Sequence, residues 1–189
     1  MNVQPSINAT PTPTKAPTPT KAPTPTPTSG IKNNKVNGYI KPDFVFDASL
    51  APKVRAGFKV EIEGLGKSAL TDANGYFEIQ DVPSASGYTV VISKVQYMQR
   101  KLTGVNVQGD TSVSTQNQPI AMWAGDVSVN GYKDNTINMA DIVEIAKGFN
   151  SVAGDGKYRI ECDLNEDSVI NMSDVIIVAG HFNNTSKDY

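Results

Sequence analysis

Asp163-Leu164-Asn165-Glu166-Asp167-Ser168-Val169-Ile170-Asn171-Met172-Ser173-Asp174 spaces side-chain oxygens at its first, third, fifth, ninth and twelfth positions. In a tight loop alternate residues point inward, so Asp163, Asn165 and Asp167 face one centre. Val169 has no side-chain oxygen and would offer its carbonyl. Asn171 would bind directly or through water, and Asp174 would close the set from the first turn of a following helix. This donor set suits calcium, a hard ion that takes six to eight oxygens at about 2.3–2.6 Å.

The stretch has a second copy. Ile137-Asn138-Met139-Ala140-Asp141 returns as Ile170-Asn171-Met172-Ser173-Asp174 with a period of 33, and Ala146, Phe149 and Asn150 match Ala179, Phe182 and Asn183. Two copies of one supersecondary unit follow, and with them two Ca2+ sites. The first copy is irregular. Counted back from Asp141, the ligand positions fall on Asn138, Thr136, Asp134, Tyr132 and Asn130, which supplies only two carboxylates. The alternative opens the loop at Asp126 and treats the stretch around Ser128–Gly131 as a four-residue insertion. Calcium's preference for charged oxygens favours Asp126; Asn130 is the rival. Tyr132 removes a ligand in either register. Ile137 and Ile170 alternate away from the metal and are expected to pair with each other.

Working outward, the formal charge of −2 is unevenly spread: residues 126–189 hold eleven Asp/Glu against five Lys/Arg, and residues 31–125 eight against ten. An acidic third repels phosphates and argues against nucleic acid. One cysteine, Cys162, allows no internal disulfide, and with the single His181 it builds no zinc site without carboxylates. Cys162 is expected as a small buried residue and His181 on an exposed helix surface. No apolar run approaches the ~20 residues of a membrane span, so no direct membrane contact is expected. No signal-peptide core is visible, and Met1 followed by repeats reads as the start of an excised fragment.

Residues 1–35 form a Pro/Thr-rich linker: PTPTKA occurs at 11–16 and 17–22, and eight of the twelve prolines precede residue 30. Such a segment buries no core and favours extended polyproline geometry, joining this chain to upstream modules. Residues 36–123 carry short β-branched or aromatic runs at 36–40, 57–62, 76–79 and 88–94, separated by turn signals. Asp72-Ala73-Asn74-Gly75 reads as a hairpin turn, with Asp72 as turn former. No helical periodicity of useful length stands out here. No nucleophile–His set is available, so no enzyme is expected.

The stretch Thr71–Phe77, with Val82-Pro83 and Gly87–Val90, resembles the immunoglobulin-like domains of carboxypeptidase-regulatory-like and X-module families. The loops are EF-hand-like, with Ser168 where glycine is usual and Asp174 where glutamate is. Two such loop–helix repeats closed by Asp, without an entering helix, are similar to dockerins, here over 124–189. Together the two regions resemble the X-module–type II dockerin pair at the C-terminus of a cellulosomal scaffoldin. The resemblance implies a β-sandwich X-module followed by a small all-α calcium-binding dockerin. It implies calcium-dependent docking of a cellulosome scaffold onto a type II cohesin of a cell-surface anchoring protein, with the X-module stabilising the dockerin, in the extracellular space. The rival implied reading is a type I dockerin that attaches a secreted glycan-active subunit.

Positions 10 and 11 of the loops bear on the type. Met139-Ala140 and Met172-Ser173 are largely apolar, where type I dockerins commonly carry polar pairs. On a 100° wheel Met172, Ile176 and Ala179 share one face, Val175, Val178 and Phe182 the adjacent one, and Ile177 points nearly opposite. Two helices in ~64 residues do not bury every side. Met139, Ala140, Val143, Met172, Ser173, Ile176 and Ile177 are therefore the candidate partner-binding residues, and Met122 and Trp123 the candidate seam between the two modules.

Overall fold

The computed structural model describes residues 33–129 and 131–189. Its strands are β1 (Asn34–Pro42), β2 (Lys59–Ile62), β3 (Lys67–Leu70), β4 (Tyr76–Val82), β5 (Ala85–Lys94), β6 (Tyr97–Val107), β7 (Thr111–Ser112), β8 (Ile120–Met122), β9 (Ser151–Val152) and β10 (Val169–Ile170). Its helices are α1 (Ala51–Arg55), α2 (Met139–Lys147) and α3 (Met172–Ala179). The Pro/Thr linker lies outside the described residues up to position 32, and β1 begins at Asn34.

Two four-stranded sheets build the β part. In the first, β1 pairs antiparallel with β4 and parallel with both β7 and β8. In the second, β3-β2-β5-β6 run antiparallel throughout. The period-two pattern sets which side chains point inward: Val36 and Ile40 from β1, Phe77 and Ile79 from β4, Val60 and Ile62 from β2, Val90 and Ile92 from β5. Tyr97 and Phe58 fill the middle, their rings 4.7 Å apart.

The Asp72–Gly75 turn forms, with Gly75 N–H donating to Asp72 O at 2.9 Å and the Asp72 carboxylate accepting from Asn74 N and Tyr76 N at 2.8 and 2.9 Å. It does not make a hairpin. It carries the chain from β3 in one sheet to β4 in the other. Gly75 has φ +80°, and a Cβ there would collide with the Ile40 carbonyl oxygen. The short helix α1 was not expected. It starts at Ala51 and carries Pro52 in its first turn, where the missing N–H has no helical partner anyway.

The expected all-α second part is overturned. The described structure is mostly β-sheet with three short helices. After residue 124 the chain forms α2 and α3, of 9 and 8 residues, but also the antiparallel ribbon β9–β10 and a bridge between Thr136 and Thr185. The physical reason lies in the loops. The residues before each helix bury their backbone and must find hydrogen-bond partners, which extended pairing supplies. Helices this short are not stable alone. One continuous set of buried apolar side chains accordingly runs from Val36 in β1 to Val178 in α3, and the described residues fall in one compact unit.

Candidate functional site

Each helix start is built the same way. Asn138 caps α2 by accepting from Ala140 N at 2.7 Å, and Asn171 caps α3 by accepting from Ser173 N at 2.7 Å. Asp141 Oδ2 accepts from Asn138 N at 2.8 Å, and Asp174 Oδ2 from Asn171 N at 2.9 Å, which completes a capping box in both copies. The other oxygen reaches back to the loop entry: Val127 N donates to Asp141 Oδ1 at 2.9 Å, and Leu164 N to Asp174 Oδ1 at 2.7 Å. Asp126 therefore stands to Asp141 as Asp163 stands to Asp174. Asn130 lies outside the described residues. The extra residues of loop one close on themselves between Val129 and Tyr132, whose ring points to solvent at 82% exposure.

The sixth positions also match. Asn135 and Ser168 both adopt left-handed backbone, φ +58° and +74°, at the point where such a loop turns sharply. In loop two Ser168 O accepts from Ala153 N and Ile170 O from Asn150 N, each at 2.9 Å. By strand alternation the Val169 carbonyl faces the other way, into the loop. Loop one repeats this: Asn135 O accepts from Ser186 N and Ile137 O from Asn183 N, which turns the Thr136 carbonyl inward. The expected pairing of Ile137 with Ile170 is corrected. Each pairs instead with the chain that follows the other repeat's helix, so each loop is held by the opposite helix end.

The loop carboxylates are largely withdrawn from water. Asp126, Asp141, Asp163 and Asp174 are all buried. Burial pushes Asp126 up to about 6, with Asp141 and Asp134 adding to it and Lys133 opposing. Burial likewise pushes Asp174 up to about 6, with Asp163 adding to it. Asp163 is also raised, chiefly by burial, and accepts from Tyr158 OH at 2.6 Å. The remaining expected donors hold their own loops: Asp134 accepts from Thr136 N, Asp167 from Val169 N and Asn165 from Asp167 N.

Two observations match what a hard dication requires. Both carboxylate oxygens of Asp126 are fully buried and make no hydrogen bond, and the Lys133 ammonium stands 3.7 Å from Oδ2. Each loop also gathers mutually repelling buried acids, which Lys133 offsets in part beside Asp126 in loop one. Among the described residues no three Asp, Glu, His or Cys side chains converge on one point, so amide and carbonyl oxygens would have to complete any ligand set.

Beside the loops, Met139, Ala140, Val143, Met172, Ser173 and Ile176 are exposed, Ile176 to 64%. Ile177 departs from expectation: it is half-buried against the core, as is Val175. Ile176, Ile177 and Ser173 line one wall of a shallow groove whose other wall is Val45, Phe46 and Leu50.

Met122 is fully buried, and Trp123 lies where the β part meets the C-terminal residues. Trp123 stacks on His181 at 4.6 Å and on Tyr189 at 4.3 Å, and its indole donates to Asp43 Oδ2 at 3.2 Å. Tyr189 OH accepts from Trp123 N at 2.9 Å, and the Arg100 guanidinium covers its ring at 4.6 Å. His181 is thus not an exposed helix residue; it follows α3 and forms part of this stack. Cys162 is buried, and burial pushes its thiol up to about 11. The sequence assigns no role to Tyr189, Lys94, Lys133 or Arg159, which binds Glu144, Glu161 and Ser128 O at 2.6, 2.7 and 3.0 Å. The mismatch of Lys133 with Glu166 at equivalent repeat positions was the one available signal.

No protein-family model matches the chain. Over 160 residues, 84% of its length, it is 53% identical to the cellulosomal-scaffolding proteins B and A of Acetivibrio thermocellus. It spans only 20% and 8% of those proteins. Two crystal structures of type II cohesin–X-dockerin complexes from Acetivibrio cellulolyticus, a C-terminal and an N-terminal interface mutant, each contain a chain 51% identical to this one. The TM-scores are 0.78 and 0.77, covering 82% of this chain and 99% of the matched chains.

Proposed function

Given that the chain belongs to the family of cellulosomal scaffoldin components, we propose that it is the X-dockerin side of a type II cohesin–dockerin pair and that two calcium ions order its docking surface. It is not an enzyme; its relatives are scaffolding proteins. The observation that carries the reading is the pair of equivalent Asp-closed loops, each opening a helix whose first turn presents exposed apolar side chains. Leftover apolar surface beside a polar rim is what a protein partner covers.

In this reading Asp126, Asp134, Thr136 through its carbonyl, Asn138 and Asp141 hold one ion. Asp163, Asn165, Asp167, Val169 through its carbonyl, Asn171 and Asp174 hold the other. Bound calcium would add positive charge at both sets of buried carboxylates, of which Asp126 has only Lys133 beside it. The capping boxes then fix both helix starts, and Met139, Val143, Met172 and Ile176 stand ready as anchors. The partner is a type II cohesin on a surface-anchoring protein, and the setting is extracellular. Among the described residues no helix is long and apolar enough to cross a membrane, so surface attachment would run through the partner.

Calorimetric titration tests this. The chain should bind a type II cohesin with calcium present and lose binding in excess EDTA. Binding that survives EDTA unchanged would sink the calcium reading. A preference for a type I cohesin would establish the rival dockerin class, and binding to an X-dockerin in place of cohesin would reverse the assigned role.

A further inference from the structure

Lys133 and Glu166 occupy equivalent fourth positions of the two loops, 33 residues apart, and carry opposite charges. Both reach the same short turn, Lys94–Tyr97, which joins β5 to β6. The Lys133 ammonium donates to the carbonyl of Lys94 at 3.3 Å and to that of Tyr97. The Glu166 carboxylate accepts from the Lys94 ammonium at 2.5 Å. Two more bonds join the same turn to the two loop entries: Gly125 N donates to Gln96 O at 2.9 Å, and Gln96 Nε2 to Ile160 O at 3.4 Å.

The turn is itself well anchored. Tyr97 is fully buried, and the Lys94 ammonium lies 5.1 Å from the centre of the Phe58 ring and donates to Lys53 O and Val54 O at 3.3 Å. The Lys94–Glu166 pair is only 11% and 20% exposed, so solvent screens it little compared with a surface pair.

We propose that the β5–β6 turn makes calcium uptake by the two loops cooperative, with Lys94, Lys133 and Glu166 as positioning residues. The proposal rests on the calcium reading above. Its physical basis is ordering. A loop that closes on its ion immobilises its fourth side chain and, through it, the turn. The other loop then docks on a turn already ordered, and the entropy cost of its own closure falls. By linkage the effect is the same in both directions.

Calcium titration of the whole chain reads the coupling directly. Wild type should bind two ions with positive cooperativity. Lys94→Met keeps the side-chain stem and removes the ammonium; the coupling factor should fall about five-fold or more. Glu166→Gln should act in the same direction and serves as the second variant if Lys94→Met does not fold. The swap Lys94→Glu with Glu166→Lys should recover part of the coupling, which loss of general stability would not do. In an Asp174→Asn background, titrated at calcium concentrations that leave the weakened loop two empty, Lys94→Met should leave loop one's affinity within about two-fold, because no second bound ion is coupled to it. Unchanged cooperativity in both single variants would overturn the proposal. Two ions bound independently by wild type would overturn the coupling alone, whereas no calcium uptake would overturn the calcium reading together with it.

Discussion

Asp126 and Asp174 are carboxylates held where water does not reach them, and their protonation makes the first prediction. Both are pushed up to about 6 from an ordinary value of 3.8. A carboxyl whose pKa is raised on folding favours the folded state below its unfolded value. That contribution is lost as pH rises through the folded one. The calcium-free chain should therefore melt higher at pH 5 than at pH 7. Calcium uptake, which needs both groups ionised, should weaken as pH falls below about 6. Thermal melts and calcium titrations across pH 4.5–7.5 check both signs. Asp174→Asn should reduce the pH dependence of loop two, leaving the part that Asp163 carries, and cost at least ten-fold in its calcium affinity. The Asp pattern of the loops was legible in the sequence. The burial was not, because it arises only when the loop entries and the helix starts come together, as in the bond from Leu164 N to Asp174 Oδ1.

At the scale of elements, α3 divides its faces much as its periodicity implies. Val178 is buried, Val175 is half-buried, and Met172, Ile176 and Ala179 are exposed. Ile176→Asp should therefore weaken partner binding by about 2 kcal/mol, as expected for loss of an interface anchor. It should leave the melting temperature within a few degrees, because the side chain is already in solvent. A large fall in stability would mean that the face is covered within the chain. The β3–β4 connection makes a separate prediction. Gly75→Ala should destabilise by about 1–3 kcal/mol, since its φ of +80° and the Ile40 carbonyl both exclude a side chain; denaturant titration measures it. The turn chemistry of Asp72–Gly75 was readable from four residues. Its use as a crossing between sheets was not, because local residues do not encode which strand β4 will pair with.

For the whole molecule, the stack of Trp123, His181 and Tyr189 closes the C-terminus onto the β part. Trp123→Ala should lower stability by about 2–4 kcal/mol, as for loss of a large aromatic. It should loosen the segment after α3, raising hydrogen exchange at Asn183 and Asn184. Those two residues bond to Ile137, so the damage should reach calcium loop one before loop two. Equal loss at both loops would argue against that route.

The chain's own residues determined the repeat, the ligand-type oxygens at positions 1, 3, 5, 9 and 12, the helix caps, the apolar face of α3 and four of the strands, β1, β2, β4 and β5. All are local or periodic properties, readable because a helix or strand exposes its pattern every 3.6 or 2 residues. Tertiary structure decided the rest. It made the C-terminal third a mixture of ribbon and helix, matched Asp126 with Asp163, and paired each loop with the far helix end. It also brought Lys94, Lys133 and Glu166 to one turn and folded His181 and Tyr189 over Trp123. Two-residue strands have no period, and contacts between residues 30 to 90 positions apart leave no local trace; they exist only once a shared core has brought those positions together.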